Sequence, residues 1–158
     1  MRYVTILLCA FAFNSQAEIR DLPDATLTPG IANPLVTQAN IQDTICVLGF
    51  SKTQRPPASY TTKLKIKQLR SGVYKSNFGS SSFEEDHLIS IQNGGDPRDP
   101  KNLWPQHWND PNGAKKKDLL ENVIHKLICD GTITLEEGQS ALAHDWIASY
   151  QKYIGNRH

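Results

Sequence analysis

Hydrophobic residues fall in separated blocks along this chain, each block with its own spacing. The first runs from Tyr3 to Phe13, after Met1-Arg2 and before Ser15-Gln16-Ala17. An early positive charge, an apolar stretch of roughly 7–15 residues and small residues before a cut site make a secretory signal peptide, so cleavage is expected after Ala17. Residues 18–43 carry Pro23, Pro29-Gly30 and Pro34 among polar positions without a sustained period, which predicts an extended arm or a set of turns, wrapping the domain. The run Ile45 to Phe50 predicts a buried strand or a packed turn. Next, Ile66, Leu69 and Val73 fall at i, i+3 and i+7, predicting a helix capped at Ser59 and ending near Gly72. The alternation Lys63-Leu64-Lys65-Ile66-Lys67 keeps a strand open there. Residues 76–82 are Ser-, Gly- and Asn-rich and predict a loop.

From Phe83 to Gln106 the pattern predicts strand, glycine-containing loop, strand. A helix over Ala114–Ile128 follows, with Leu119, Leu120, Val123, Ile124, Leu127 and Ile128 as its core stripe. Thr134-Leu135-Glu136-Glu137 is a capping box opening one last helix to about Tyr153, anchored by Leu135, Leu142, Trp146 and Tyr153. Strands mixed with helices in this order predict an α+β fold.

The chain has 158 residues, 39% of them apolar and 21% charged, which suits one globular domain and excludes a disordered or fibrous chain. Loss of residues 1–17 takes away Cys9 and Arg2, leaving Cys46 and Cys129 and lowering the net charge from +1 to zero. Two cysteines in an oxidising compartment imply one disulfide, with two separate buried thiols as the alternative. They cannot by themselves form a structural zinc site. Charge is uneven: no acidic residue occurs between Asp43 and Glu84, a stretch holding Lys52, Arg55, Lys63, Lys65, Lys67, Arg70 and Lys75. A second basic run is Lys115-Lys116-Lys117. Such clusters are the footprint of a phosphate-binding face, and a merely solvated surface is the competing explanation.

The chemistry concentrates in Glu84-Glu85-Asp86-His87-Leu88-Ile89, Asn93-Gly94-Gly95, Asn102-Leu103-Trp104-Pro105-Gln106 and Asn112-Gly113-Ala114. This array resembles the HNH branch of the ββα-metal nucleases, in which an Asp-His dipeptide ends one strand, a Gly-Gly loop follows, and Asn-Leu begins the next. Thr44-Ile45-Cys46-Val47, Arg55-Pro56-Pro57, Tyr60-Thr61, Lys117-Asp118 and Asp145-Trp146 extend the similarity to a group of small exported bacterial HNH-type proteins. The resemblance implies a ββα-metal core with flanking helices in one domain, residues 44–158, and a periplasmic or secreted location.

It further implies hydrolysis of DNA, with RNA also within the chemistry's reach, at low sequence specificity and leaving 5′-phosphate ends. His87 is then the general base, because imidazole titrates near neutrality. Asp86 holds a divalent cation, Mg²⁺ or Mn²⁺, which polarises the phosphate and stabilises the leaving oxygen. Asn102 orients loop and histidine. No histidine stands at the final motif position, and Asn112 is the expected second metal ligand, with Asn109 and His107 as competitors. Lys63, Lys67, Arg70, Lys115, Lys116 and Lys117 are expected to meet phosphates. Two other functions compete: a degenerate HNH-fold protein that binds nucleic acid without cutting it, and a structural exported domain.

Overall fold

The structure is a computed structural model that describes residues 22–155 apart from Lys75, so the predicted signal peptide lies outside the described residues. Two short helices come first, α1 (Phe50–Gln54) and α2 (Ala58–Arg70). Strands β1 (Phe83–His87) and β2 (Leu103–His107) pair antiparallel, with Asp86 opposite Trp104 and His87 opposite Leu103. Helices α3 (Ala114–Cys129), α4 (Leu135–Ala143) and α5 (Trp146–Tyr153) complete an α+β domain.

A two-stranded sheet of five-residue strands is marginal by itself. Here α2 packs on both strands, and its side chains bond their carbonyls: Lys65 Nζ donates to Phe83 O (2.7 Å) and Gln68 Nε2 to Leu103 O (2.8 Å). Helix α3 packs against α4 and α5, burying Leu120, Ile124 and Ile128 with Trp104, Leu142 and Trp146 in one apolar cluster. Of the two readings of Ile45–Phe50 the turn holds: it leads into α1 with Ile45 buried and Val47 and Leu48 exposed. Three expectations need correction. Helix α2 starts one residue before Ser59, after Pro57, whose fixed φ presets the entry without a side-chain cap. Leu119 stands 54% exposed, on the face of α3 away from the cluster. The expected last helix is two, because Asp145 leaves the helical region (φ −153°) and its side chain accepts from Ala148 N, capping α5 anew.

The arm, described from Leu22, is stitched onto the loop between the strands. Asn33 N donates to Gly94 O (2.8 Å), Asp96 N to Ile31 O (2.8 Å) and Gly30 N to Lys101 O (3.0 Å). The loop also folds back on itself so closely that a Cβ on Gly95 would lie 1.7 Å from Ile89 O, so only glycine fits. Cys46 and Cys129 form a disulfide that ties the turn before α1 to the end of α3, closing 83 residues. Among the described residues no helix is long and apolar enough to cross a membrane.

Candidate functional site

The end of β1 carries the chemistry. Asp86 and Glu84 share the strand face that α3 covers, since neighbours two apart point the same way. Asp86 Oδ1 accepts from its neighbour's amide, His87 N (2.8 Å), and Oδ2 from Lys117 Nζ (2.8 Å). The Lys117 ammonium is 0% exposed and spends its three hydrogens on Asp86, on His87 O (2.7 Å) and on Glu121. Burial works against that charge, but Asp86 and Glu121 outweigh it and raise the lysine pKa. Lys117 was expected to face phosphate; it turns inward because position 117 lies on the same helical stripe as Leu120, Ile124 and Ile128.

His87, 5% exposed, is held through its ring: Nε2 lies 3.0 Å from Pro97 O. A carbonyl only accepts, so Nε2 carries the proton and Nδ1 the lone pair, and Nδ1 has no partner among the described residues. Burial lowers the histidine pKa, the Pro97 bond and Asp86 resisting, which keeps the ring neutral near pH 7. The Pro97 carbonyl is itself fixed. Asp96 Oδ1 accepts from Arg98 N and Asp99 N (both 2.8 Å), closing a turn around it. Asn102, 0% exposed, clamps the loop: Oδ1 accepts from Ile89 N (3.0 Å) and Ile31 N (3.3 Å), and Nδ2 donates to Ile89 O and Asp96 O (both 2.9 Å).

A cleft of about 420 Å³ opens over this end of β1, lined by Glu84, Glu85, Asp86, His87, Asp118 and Glu121, with Arg55 and Trp108 at its sides. A larger groove of about 500 Å³ along α4 and α5 is lined instead by helix caps such as Glu137 and Asp145, already spent on backbone amides. In the cleft, burial, then the Asp86 and Asp118 charges, push Glu84 up to about 8. Burial, then Asp86, push Glu85 to about 8, and both Glu85 oxygens are buried without a hydrogen bond among the described residues. Burial and Asp86 also raise Glu121, against Lys117. The cleft therefore crowds five carboxyl groups together, and burial and crowding make several of them hold protons more tightly than usual.

The remaining expected residues lie elsewhere. Asn112 turns Oδ1 to Lys116 Nζ (2.8 Å), Asn109 turns Oδ1 to Lys115 Nζ (2.7 Å), and His107 meets Phe78 and Phe83 edge-on with Nδ1 facing Asn109 N (3.2 Å). None of the three lines the cleft, so the structure does not bring Asn112 to Asp86. The turn before α3 is tight, a Cβ at Gly113 lying 2.5 Å from His107 O, and Asn112 within it turns to Lys116 one helical turn on. Lys63, Lys67 and Arg70 are exposed on α2, Lys115 is exposed, and Lys116 sits half-buried over the Tyr150 ring (4.9 Å). Among the described residues no three His, Cys, Asp or Glu side chains form a cage for an ion. Glu84, Arg55, Asp118 and Glu121 were not anticipated as site residues, and Lys117 was anticipated only as a phosphate contact. The i, i+4 spacing of Lys117 and Glu121 beside buried Leu120 and Ile124 was their signal. Comparisons with protein-family models, curated proteins and solved structures returned no match.

Proposed function

We propose that this protein is a metal-dependent endonuclease of the HNH (ββα-metal) kind, exported from the cell, that hydrolyses DNA, with RNA also within its chemistry. The observation that carries the reading is His87: a neutral, buried imidazole whose Nδ1 lone pair is left free because Nε2 is committed to Pro97 O. The order strand, clamped loop, strand, helix around it supports the same reading. Nδ1 takes the proton of an attacking water, and the imidazolium so formed is stabilised by the adjacent Asp86 and by the Pro97 carbonyl. Arg55, with no ion pair among the described residues, can hold a phosphate oxygen at the mouth of the cleft.

A hard divalent cation would suit this cleft. It would displace protons from carboxyls such as Glu84 and place positive charge between them and a phosphodiester, and Mg²⁺ or Mn²⁺ needs only one or two carboxylates, water and substrate oxygens. Asp86, with Glu84 two residues away on the same face, would hold it. When bound, such an ion polarises the phosphate and stabilises the leaving oxygen. Lys63, Lys67, Arg70 and Lys115 would follow the nucleic-acid backbone, which gives affinity with little sequence preference.

One observation favours the non-cutting reading: Asn112, the expected second ligand, faces Lys116 and not the cleft. Supercoiled plasmid incubated with the protein, with Mg²⁺ or with chelator, separates the two. Nicking in Mg²⁺ alone supports the nuclease; a band shift without nicking supports a binding protein, and neither effect refutes both.

A further inference from the structure

Lys117 is a costly residue where it stands. An ammonium in the second turn of α3 opposes the helix dipole, and taking it out of water carries a desolvation penalty that an apolar side chain of similar volume avoids. All its hydrogens are nevertheless satisfied, two by carboxylates and one by a carbonyl. The carbonyl and one carboxylate belong to consecutive residues, His87 and Asp86. Lys117 does not line the cleft, whereas Asp86, His87 and Glu121 do, so its charge stands behind those side chains. From that position it cannot touch a substrate. It fixes the Asp86 carboxylate between two donors, Lys117 Nζ on Oδ2 and His87 N on Oδ1, and ties the His87 peptide to α3. The Asp86 carboxylate and the His87 peptide, from which the ring reaches to Pro97 O, are thereby tied to the same helix from behind.

We propose that Lys117 is a positioning residue, a buried ammonium clamp that orients the Asp86-His87 step towards the cleft, with Glu121 as its counter-anchor. What Asp86 then holds rests on the nuclease reading; the clamp does not. The test compares the full chain with K117M, which keeps the volume and removes the donors, and K117Q, which keeps a donor without the charge. Three readouts are taken: Mn²⁺ affinity by calorimetry, plasmid-cleavage kinetics, and long-range ¹H–¹⁵N spectra of the histidine rings, which report the His87 tautomer.

In K117M, kcat and Mn²⁺ affinity fall by about 10–100-fold, as for other groups that orient a metal ligand. KM for plasmid stays within about two-fold because the backbone contacts lie elsewhere, and the His87 ring, its peptide no longer anchored, drifts from Pro97 O and loses its single Nε2–H form. K117Q recovers part of each loss. Wild-type values of all three in both variants, or a lowered melting temperature with the three unchanged, overturn the proposal. If K117M does not fold, K117Q decides by the same criteria. If the wild type neither cuts nor binds Mn²⁺, the nuclease reading fails, and the ring spectra alone decide the clamp: an unchanged His87 tautomer in the variants overturns it.

Discussion

Replacing Asn102 by alanine removes the most connected side chain of the site. Its amide makes four hydrogen bonds at 2.9–3.3 Å and is 0% exposed, so no bulk water replaces them. Alanine leaves Ile89 N and O, Ile31 N and Asp96 O short of a partner in the interior. Each unsatisfied buried group costs about 1–3 kcal/mol. Carbonyl oxygens tolerate this better than amides, and the arm can relax around Ile31. Two amides at about 1–3 kcal/mol each, with the Ile31 one partly relieved, give an expected destabilisation of about 2–5 kcal/mol, a large share of the roughly 5–15 kcal/mol of a typical domain. Asp96 O is also the groove-side anchor of the turn presenting Pro97 O to His87, so the ring loses its orientation with the fold still present. The assay is urea denaturation of the oxidised protein followed by tryptophan fluorescence, with plasmid nicking measured well below the unfolding midpoint. A loss under about 1 kcal/mol, or full nicking in the native baseline, would refute the clamp argument.

Reducing the Cys46–Cys129 disulfide, or the pair C46S/C129S, opens an 83-residue loop and should cost roughly 4–5 kcal/mol by chain entropy, read as a lowered urea midpoint; an unchanged midpoint contradicts it. Glu84 and Glu85 have folded pKa values of about 8 against 4.5, so the folded state holds more protons between those values. Their stabilising effect is complete below about pH 4.5 and is lost as pH rises through 8, so the protein in chelator melts at a higher temperature at pH 5 than at pH 8.5. His87, with its pKa lowered, works the other way just below 6.5 but is one group against several; a melting temperature that rises from pH 5 to 8.5 contradicts the burial of these carboxyls. The charge reversal K63E/K67E/R70E on the exposed face of α2 should weaken plasmid binding and flatten its salt dependence without lowering the melting temperature. An unchanged salt slope excludes that face from the substrate path.

The elements that frame the cleft were legible because their signals are local. The Phe83–Gln106 segment, its glycine loop and the helix over Ala114–Ile128 each follow from turn chemistry and periodicity, and the resemblance supplied the roles expected of Asp86, His87 and Asn102. Orientation was less legible. A Lys-Lys-Lys run reads as solvated, yet Lys117 is buried because two carboxylates from different elements converge on it, a tertiary fact. Leu119 fits the apolar stripe by spacing but falls at its edge, where no partner element covers it. The division of the last helix was hidden because Ala143-His144-Asp145 is tolerated inside helices, and the break is marked by the Asp145 side chain accepting from the Ala148 amide. Asn112 was placed by its distance along the sequence from His87, and the turn at Gly113 carries it to Lys116 instead.

The central claim is that His87 is the base of a metal-dependent nuclease. Its most direct test is the first-order rate of supercoiled-plasmid nicking by the wild type and by H87A, in Mg²⁺ and in chelator. The account predicts Mg²⁺-dependent nicking that falls by about 10²–10⁴-fold in H87A, the range for loss of a general base, with binding to plasmid retained. Equal rates for the two proteins, or no nicking by the wild type in Mg²⁺ or Mn²⁺, would contradict it.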